Sequence, residues 1–174
     1  MNEYEFVLKF KFSDSIDPES YINSLAEAGC DDALIGIGQH GRIALDFVRS
    51  AENALIAVCT AIKDVKNVIP DAELIEATPD FVGLSDIAEV MGYSRQNMRK
   101  LMVNNGTSFP QPVHEGSAAI WHLSNVLTWL KENKGYDIDD ALADVAKVNM
   151  QINLAKEVSK LDPVMNERID AVLS

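Results

Sequence analysis

The stretch ALIGIGQHGRIALDF, residues 33–47, contains three glycines in the spacing G-x-G-x-x-G: Gly36, Gly38 and Gly41. In a dinucleotide-binding protein this spacing follows a strand, opens a helix, and precedes an acidic residue about 20 positions later. Here residues 42–47 alternate between polar and apolar side chains, which is the period of a half-buried strand. The stretch therefore predicts two strands joined by a turn at residues 38–41, and no nucleotide cofactor.

Further elements surround this hairpin in residues 1–80. Alternation in residues 4–12 predicts a first strand, Asp17 followed by proline predicts a helix N-terminus, Ser50 predicts another, and residues 72–76 predict a last strand. The order β-α-β-β-α-β predicts a ferredoxin-like α+β domain, a four-stranded antiparallel sheet with two helices on one face. This architecture serves enzymes, ligand sensors and oligomerisation modules alike, so it assigns no function. No catalytic pattern occurs in it, and we expect that the protein is not an enzyme.

Composition places the chain among core-forming proteins. It has 174 residues, 47% of them hydrophobic and 24% charged. No apolar run approaches the 18 or so residues of a membrane span, and residues 1–5 are acidic where a signal peptide is basic, so we expect a cytoplasmic protein with no membrane partner. The two cysteines, Cys30 and Cys59, have no metal-ligand or redox spacing, and Cys59 is expected to be buried on the apolar face of a helix.

Charge is distributed unevenly along the chain, whose net charge is −12. Residues 1–81 contain 6 Lys/Arg and 15 Asp/Glu (net −9), and residues 135–174 contain 4 and 8 (net −4). Residues 82–134 contain 5 and 4 (net +1). Because nucleic-acid-binding domains are usually basic, only this middle segment escapes repulsion by phosphate.

The stretch LSDIAEVMGYSRQNMRKL, residues 84–101, has the helix-turn-helix pattern. Ala88 allows a second helix to approach the first, Gly92 permits a tight turn, and Ser94 caps the second helix. Met98 is expected to seat that helix against the first. Five residues then remain on its outer side, with side chains that bind base edges and phosphates: Arg95, Gln96, Asn97, Arg99 and Lys100.

Two more elements are predicted after this pair of helices. Residues 109–113 and 119–121, separated by a turn at 115–117, predict a short two-stranded wing, and Ser124 is expected to cap a third helix. Together these elements predict a winged helix-turn-helix domain spanning residues 81–134. From its charge we also expect that Lys131, on the third helix, contacts phosphate.

At residues 82–132 the chain resembles the MerR/AlpA-like group of bacterial winged-helix regulators and excisionase-like proteins. The resemblance rests on L-S-x-I-A-x-x-x-G-x-S-R-Q, then F-P-x-P-V and W-x-x-x-x-V-x-x-W-L. It implies that Ser94 and the five outer residues of the second helix face the major groove of DNA. It also implies a wing tip beside the DNA backbone, formed by His114, Glu115, Gly116 and Ser117.

Two features depart from that pattern. Glu115 places a negative charge at the wing tip, where it opposes phosphate. The domain also follows about 80 residues, whereas MerR proteins place it first, so we do not expect the effector-dependent regulation of that family here. With its N-terminal domain included, the chain also resembles a group of uncharacterised bacterial DNA-binding proteins over residues 1–132.

Residues 135–174 predict two helices. The first covers residues 137–161 with a stripe formed by Ile138, Leu142, Val145, Val148, Ile152 and Ala155; the second follows Asp162-Pro163. The stripe either folds back on the chain's own domains or pairs with a second subunit. We favour pairing, with Asn149 setting the register, and expect that a chain without residues 136–174 is a folded monomer.

These patterns together predict a sequence-specific double-stranded-DNA-binding protein. We expect a bacterial or phage transcriptional regulator that binds an inverted repeat as a homodimer, without cofactor or metal. The alternative is a protein-interaction module, antitoxin-like or an adaptor, that uses the same surface to bind a protein partner.

Overall fold

A computed structural model describes residues 1–13 and 17–174. In these residues the strands are β1 (Asn2–Lys11), β2 (Ala33–Gly36), β3 (Arg42–Ala51), β4 (Glu73–Thr78), β5 (Phe81–Val82) and β6 (Trp121–His122). The helices are α1 (Ile22–Leu25), α2 (Ala54–Val68), α3 (Leu84–Val90), α4 (Arg95–Asn105), α5 (Leu123–Lys134), α6 (Asp140–Val158) and α7 (Pro163–Leu173). The chain is therefore a mixed α+β protein.

Strands β1 to β4 form one antiparallel sheet in the order β2-β3-β1-β4. Its inner face is strongly apolar, and Phe6 lies opposite Phe47 with their rings stacked at 5.2 Å. The predicted turn between β2 and β3 is confirmed, with Gly41 at a φ of 66° that favours glycine. Up to β4 the elements follow the predicted order β-α-β-β-α-β.

Two details of α2 differ from the prediction. Ser50 does not cap it, because β3 continues to Ala51 in register with β1; Asn53 caps the helix instead, accepting from the Ile56 amide at 2.9 Å. The buried face consists mainly of alanines: Ala54, Ala57, Val58, Ala61 and Val65. These small side chains let the helix lie close to the aromatic face of the sheet, which turns Cys59 outward, so the prediction that Cys59 is buried was wrong.

A second core lies in residues 81–134. Strand β5 pairs with β6, and Ile87, Met98 and Leu127 are at most 1% exposed among the side chains between α3, α4 and α5. Ser124 does not cap α5, which begins at Leu123; Ser124 is buried in its first turn. The two wing strands predicted at residues 109–113 and 119–121 do not form: residues 109–113 are not a strand, and Trp121 pairs with Val82 of β5. A single bridge between His114 and Ile120 closes the loop between them.

Helix α6 packs against both cores. Val145 belongs to the core of the sheet, whereas Ile138 and Ala146 belong to the second core. Apart from the exposed Ala155 at its end, the stripe expected to pair with a second subunit is thus wholly or partly covered within the chain. Asn149 donates to the Pro79 carbonyl at 3.2 Å. An apolar stripe is covered internally where the chain offers a matching groove, because no association entropy is then lost.

Helix α7 contrasts with α6 because none of its residues is buried. Its predicted start is confirmed: Asp162 accepts from the amides of Val164 and Met165, and Pro163 occupies the first turn. In the described part of the chain, no helix is long and apolar enough to cross a membrane.

Candidate functional site

The turn between α3 and α4 fixes how α4 is presented. Gly92 adopts a φ of 66°, and the Tyr93 amide donates to the Ala88 carbonyl at 2.8 Å. Ser94 caps α4 as predicted, with its Oγ accepting from the Asn97 amide at 3.2 Å. Met98, 1% exposed, anchors the inner side of α4 in the second core. The opposite side of α4 is left to solvent.

The predicted residues of α4 lie on that solvent side in two groups. Arg95 and Arg99 line a groove of about 450 Å³ between α4, the start of α3 and residues 117–121. Asn97 and Lys100 line a second groove on the other flank of α4. Gln96 is also exposed.

The groove of Arg95 and Arg99 is cationic. Over residues 1–13 and 17–174, neither guanidinium forms an ion pair or hydrogen bond. Asp86 is the carboxylate in the groove wall, and it accepts from the Gly83 amide at 2.7 Å, which caps α3. The groove thus offers two guanidinium groups with free donors, the groups best suited to bidentate contacts with guanine edges or phosphate.

Residues 117–121 form one side of this groove. Ser117 lines it, together with Ala118 to Trp121, while His114 and Glu115 are exposed. A Cβ on Gly116 would lie 2.6 Å from His114 Nε2, so the imidazole of the exposed His114 lies next to Gly116 and would have to move if residue 116 had a side chain. Of the four predicted wing-tip residues, Ser117 lines the groove beside α4, and the structure gives no such contact for the other three.

Lys131 does not join this surface. It lines neither of the two grooves, and its Nζ lies 2.8 Å from Asp140 Oδ1. The hydrogen bond and charge of Asp140 raise the pKa of Lys131. A phosphate would have to compete with this exposed ion pair, so Lys131 is less available than Arg95 or Arg99.

Sequence reasoning missed several residues of the second groove. Asn104 lies there with Asn97 and Lys100, and the i, i+3, i+7 spacing of the three was the available signal. Tyr93 and Tyr136 form its floor with ring centroids 5.6 Å apart. Partial burial and the neighbouring Tyr93 raise the pKa of Tyr136. Tyr136 follows α5, and no local pattern connected it to α4.

A buried polar cluster supports the site from behind. Asp80, fully buried, lies 2.7 Å from His122 Nδ1 and accepts from Asn153 Nδ2 at 2.8 Å. Asn153 also accepts from the Ala77 amide at 2.9 Å through its Oδ1 and donates to the Ala77 carbonyl at 2.8 Å through its Nδ2. The cluster ties β4, β6 and α6 together and so fixes the two cores relative to each other.

Within the described residues, no group of three or more His, Cys, Asp or Glu side chains is placed to hold a metal ion. No family model, curated protein or solved structure matches the chain.

Proposed function

We propose that the protein binds double-stranded DNA in a sequence-specific manner, through a winged helix-turn-helix of the MerR/AlpA-like type in residues 82–132 that follows a ferredoxin-like domain. The observation that carries the proposal is the pair Arg95 and Arg99. Both guanidinium groups are exposed, have no partner in the described residues, and line one groove with residues 117–121.

The dimensions of α4 suit this role. Its 11 residues span roughly 16 Å at about 1.5 Å per residue, and the major groove of B-DNA, about 12 Å wide, accepts one helix. In helix-turn-helix proteins the first turns of the second helix meet the base edges. Arg95, Gln96 and Asn97 would therefore read bases, while Lys100 would contact phosphate.

Electrostatics set the expected strength of binding. The chain carries a net charge of −12, and α4 offers three cations, so few phosphates are neutralised by one copy. Binding should be weak above physiological salt and should depend on base contacts more than on phosphate contacts.

A second candidate is a protein-interaction module that uses the same surface. It is favoured by two apolar side chains beside the polar ones, Val103, 64% exposed, and Tyr93, 43% exposed. A protein partner would bury these two residues, whereas a duplex would contact them at thymine methyl groups or sugars.

The test is selection of bound fragments from random and genomic duplex DNA, followed by fluorescence anisotropy. We expect a consensus sequence, and Arg95→Ala should weaken binding to it by roughly 1 to 3 kcal/mol. Lys66→Ala, which removes one exposed positive charge from α2, is the matched control and should bind as the wild type does. Failure to enrich any sequence, with stoichiometric recovery of one protein in pull-downs, would favour the second candidate.

A further inference from the structure

A hollow of about 190 Å³ lies on the sheet of β1 to β4, close to the turn between β2 and β3. Gly36 of β2, Ala44 of β3 and Lys9 of β1 are direct neighbours in one row across this sheet. Ile43 and Leu45, on either side of Ala44, belong to the core, so the row lies on the opposite face of the sheet. We call the space over this row the glycine hollow; it is also lined by Gly38, Gln39, Arg42 and Ile75.

Two glycines of the G-x-G-x-x-G stretch, Gly36 and Gly38, keep the hollow open. Neither has the positive φ that favours glycine, unlike Gly41 in the same stretch. A Cβ on Gly36 would lie at an ordinary 3.7 Å from the Ala44 carbonyl oxygen, and a Cβ on Gly38 would meet no described atom within 4 Å. Neither backbone conformation nor packing therefore requires glycine at these positions. A side chain on Gly36 would instead occupy part of the hollow.

The charges that line the hollow are positive. They belong to Lys9 and Arg42, and no described lining residue has a carboxylate. The Lys9 Nζ lies 3.1 Å from Glu76 Oε2, so its charge is already paired. Over residues 1–13 and 17–174, the Arg42 side chain forms no ion pair or hydrogen bond. Its guanidinium therefore has free donors, whose planar arrangement matches the two oxygens of a carboxylate.

We propose that the glycine hollow binds a small monocarboxylate with a compact apolar body. Arg42 holds the carboxylate, and the apolar body lies over Gly36 and Ala44 beside Ile75. The one unpaired cation sets the single negative charge of the ligand, and the mainly apolar lining sets the character of the rest. This site is on the N-terminal sheet and not on α4, so it is a further activity beside the proposed DNA binding.

Two other classes of ligand fit the hollow less well. Pockets for drug-sized molecules measure about 300 to 1,000 Å³, so 190 Å³ is too small for a dinucleotide in spite of the spacing of the glycines. Inorganic phosphate has no apolar part to lie against Ile75 and Ala44, and it needs more donors than Arg42 alone supplies.

The test is a titration of the isotope-labelled full chain with sodium phenylacetate, followed through backbone amide shifts. No DNA is present, so the outcome is independent of the proposed DNA binding. We expect saturable shifts centred on residues 9, 36–44 and 75. Phenylacetamide has nearly the same shape without the charge and should bind at least about 10-fold more weakly, because a charge-assisted contact with Arg42 is lost.

Two variants test the two halves of the site. Arg42→Gln should weaken the binding of phenylacetate at least about 10-fold. Gly36→Val should abolish it by filling the hollow, and the sheet still forms because valine suits a strand and a Cβ there has ordinary contacts. Arg168→Gln, which removes one exposed positive charge from α7, is the matched control and should bind as the wild type does.

Absence of saturable shifts with phenylacetate would overturn the proposal. So would equal affinity for phenylacetamide or tighter binding of inorganic phosphate, since the ligand would then not be chosen as an apolar carboxylate. Binding that survives Arg42→Gln or Gly36→Val unchanged would place the ligand outside the glycine hollow and would contradict the proposal as well.

Discussion

Asp80 forms hydrogen bonds to residues that are far from it along the chain. It is a fully buried carboxylate, and His122 and Asn153 supply its side-chain hydrogen bonds. A buried charge is tolerated only when its partners are complete, because an unpaired one keeps its full desolvation cost. The cluster thus makes the geometry of β4, β6 and α6 mutually dependent.

Replacing Asn153 tests that dependence. Asn153→Ala leaves the Ala77 amide and carbonyl without the side-chain bonds they have now, and removes one donor from Asp80. We expect a loss of about 2 to 4 kcal/mol in the free energy of unfolding, measured by urea denaturation. Gln151→Ala, an exposed change on the same helix, should cost at most about 0.5 kcal/mol. Equal stability of the two variants would refute the role given to Asn153.

The two thiols should differ in reactivity. Cys30 is 1% exposed, and burial, followed by the charge of Asp64, raises its pKa to about 11. Because the thiolate is the reactive form, Cys30 stays protonated and inert at pH 8, whereas the exposed Cys59 is open to reagent. A thiol reagent should modify one group per native chain and two after unfolding. Rapid modification of two groups in the native wild-type chain, and of one group in native Cys59→Ser, would contradict this.

At the scale of elements, the sequence predicted those features that depend on neighbouring residues. The caps at Ser94 and Asp162 were predictable because the capping oxygen and the amides it accepts from are at most three residues apart. The prediction that Ser50 caps α2 was wrong because the conformation of Ser50 is set by pairing with Glu3 of β1, 47 residues earlier along the chain. The prediction for Cys59 was wrong because the buried face of α2 consists of three alanines with Val58 and Val65, and Cys59 lies outside that face.

The turn before α4 allows a clean test of local conformation. Gly92 has a φ of 66° and open space around the position of a Cβ, so Gly92→Ala should cost about 1 kcal/mol from backbone strain alone. Gly38→Ala is the control, because Gly38 also has open space but an ordinary φ. Thermal unfolding should show a lower midpoint for Gly92→Ala only. An equal midpoint for the two variants would show that the turn does not require glycine.

At the scale of the whole molecule, α6 decides the architecture. Its apolar stripe was visible in the sequence. An amphipathic pattern predicts that one face of a helix is buried, but it does not identify the surface that buries it. The grooves that receive it are built from β1, β4, α2 and α5, which no local pattern brings together. The exposure of the predicted α4 residues is confirmed and follows from the helix period alone, whereas the ion pair of Lys131 could not be predicted because Asp140 belongs to the next helix. The contacts of these residues with DNA stay a prediction.

Truncation separates the roles of the two C-terminal helices. A chain ending at residue 161 lacks only α7 and should retain cooperative thermal unfolding of both cores. A chain ending at residue 135 also lacks α6 and exposes apolar surface of both cores, so it should bind a hydrophobic dye and lose its cooperative transition. This reverses the sequence-based expectation of a folded monomer. A cooperative transition in the shorter chain, without dye binding, would show that the two cores fold without α6 and that α6 is a separate arm.

The most direct test of the central claim, that α4 and the loop at residues 114–120 bind duplex DNA, is the map of backbone amide shifts when the selected duplex is titrated into the labelled protein. The account predicts that the largest shifts fall in residues 94–104 and 114–120, and that they vanish in Arg95→Ala/Arg99→Ala at the same DNA concentration. Shifts confined to residues 1–80, or no shifts at a concentration of duplex well above that of the protein, would contradict it.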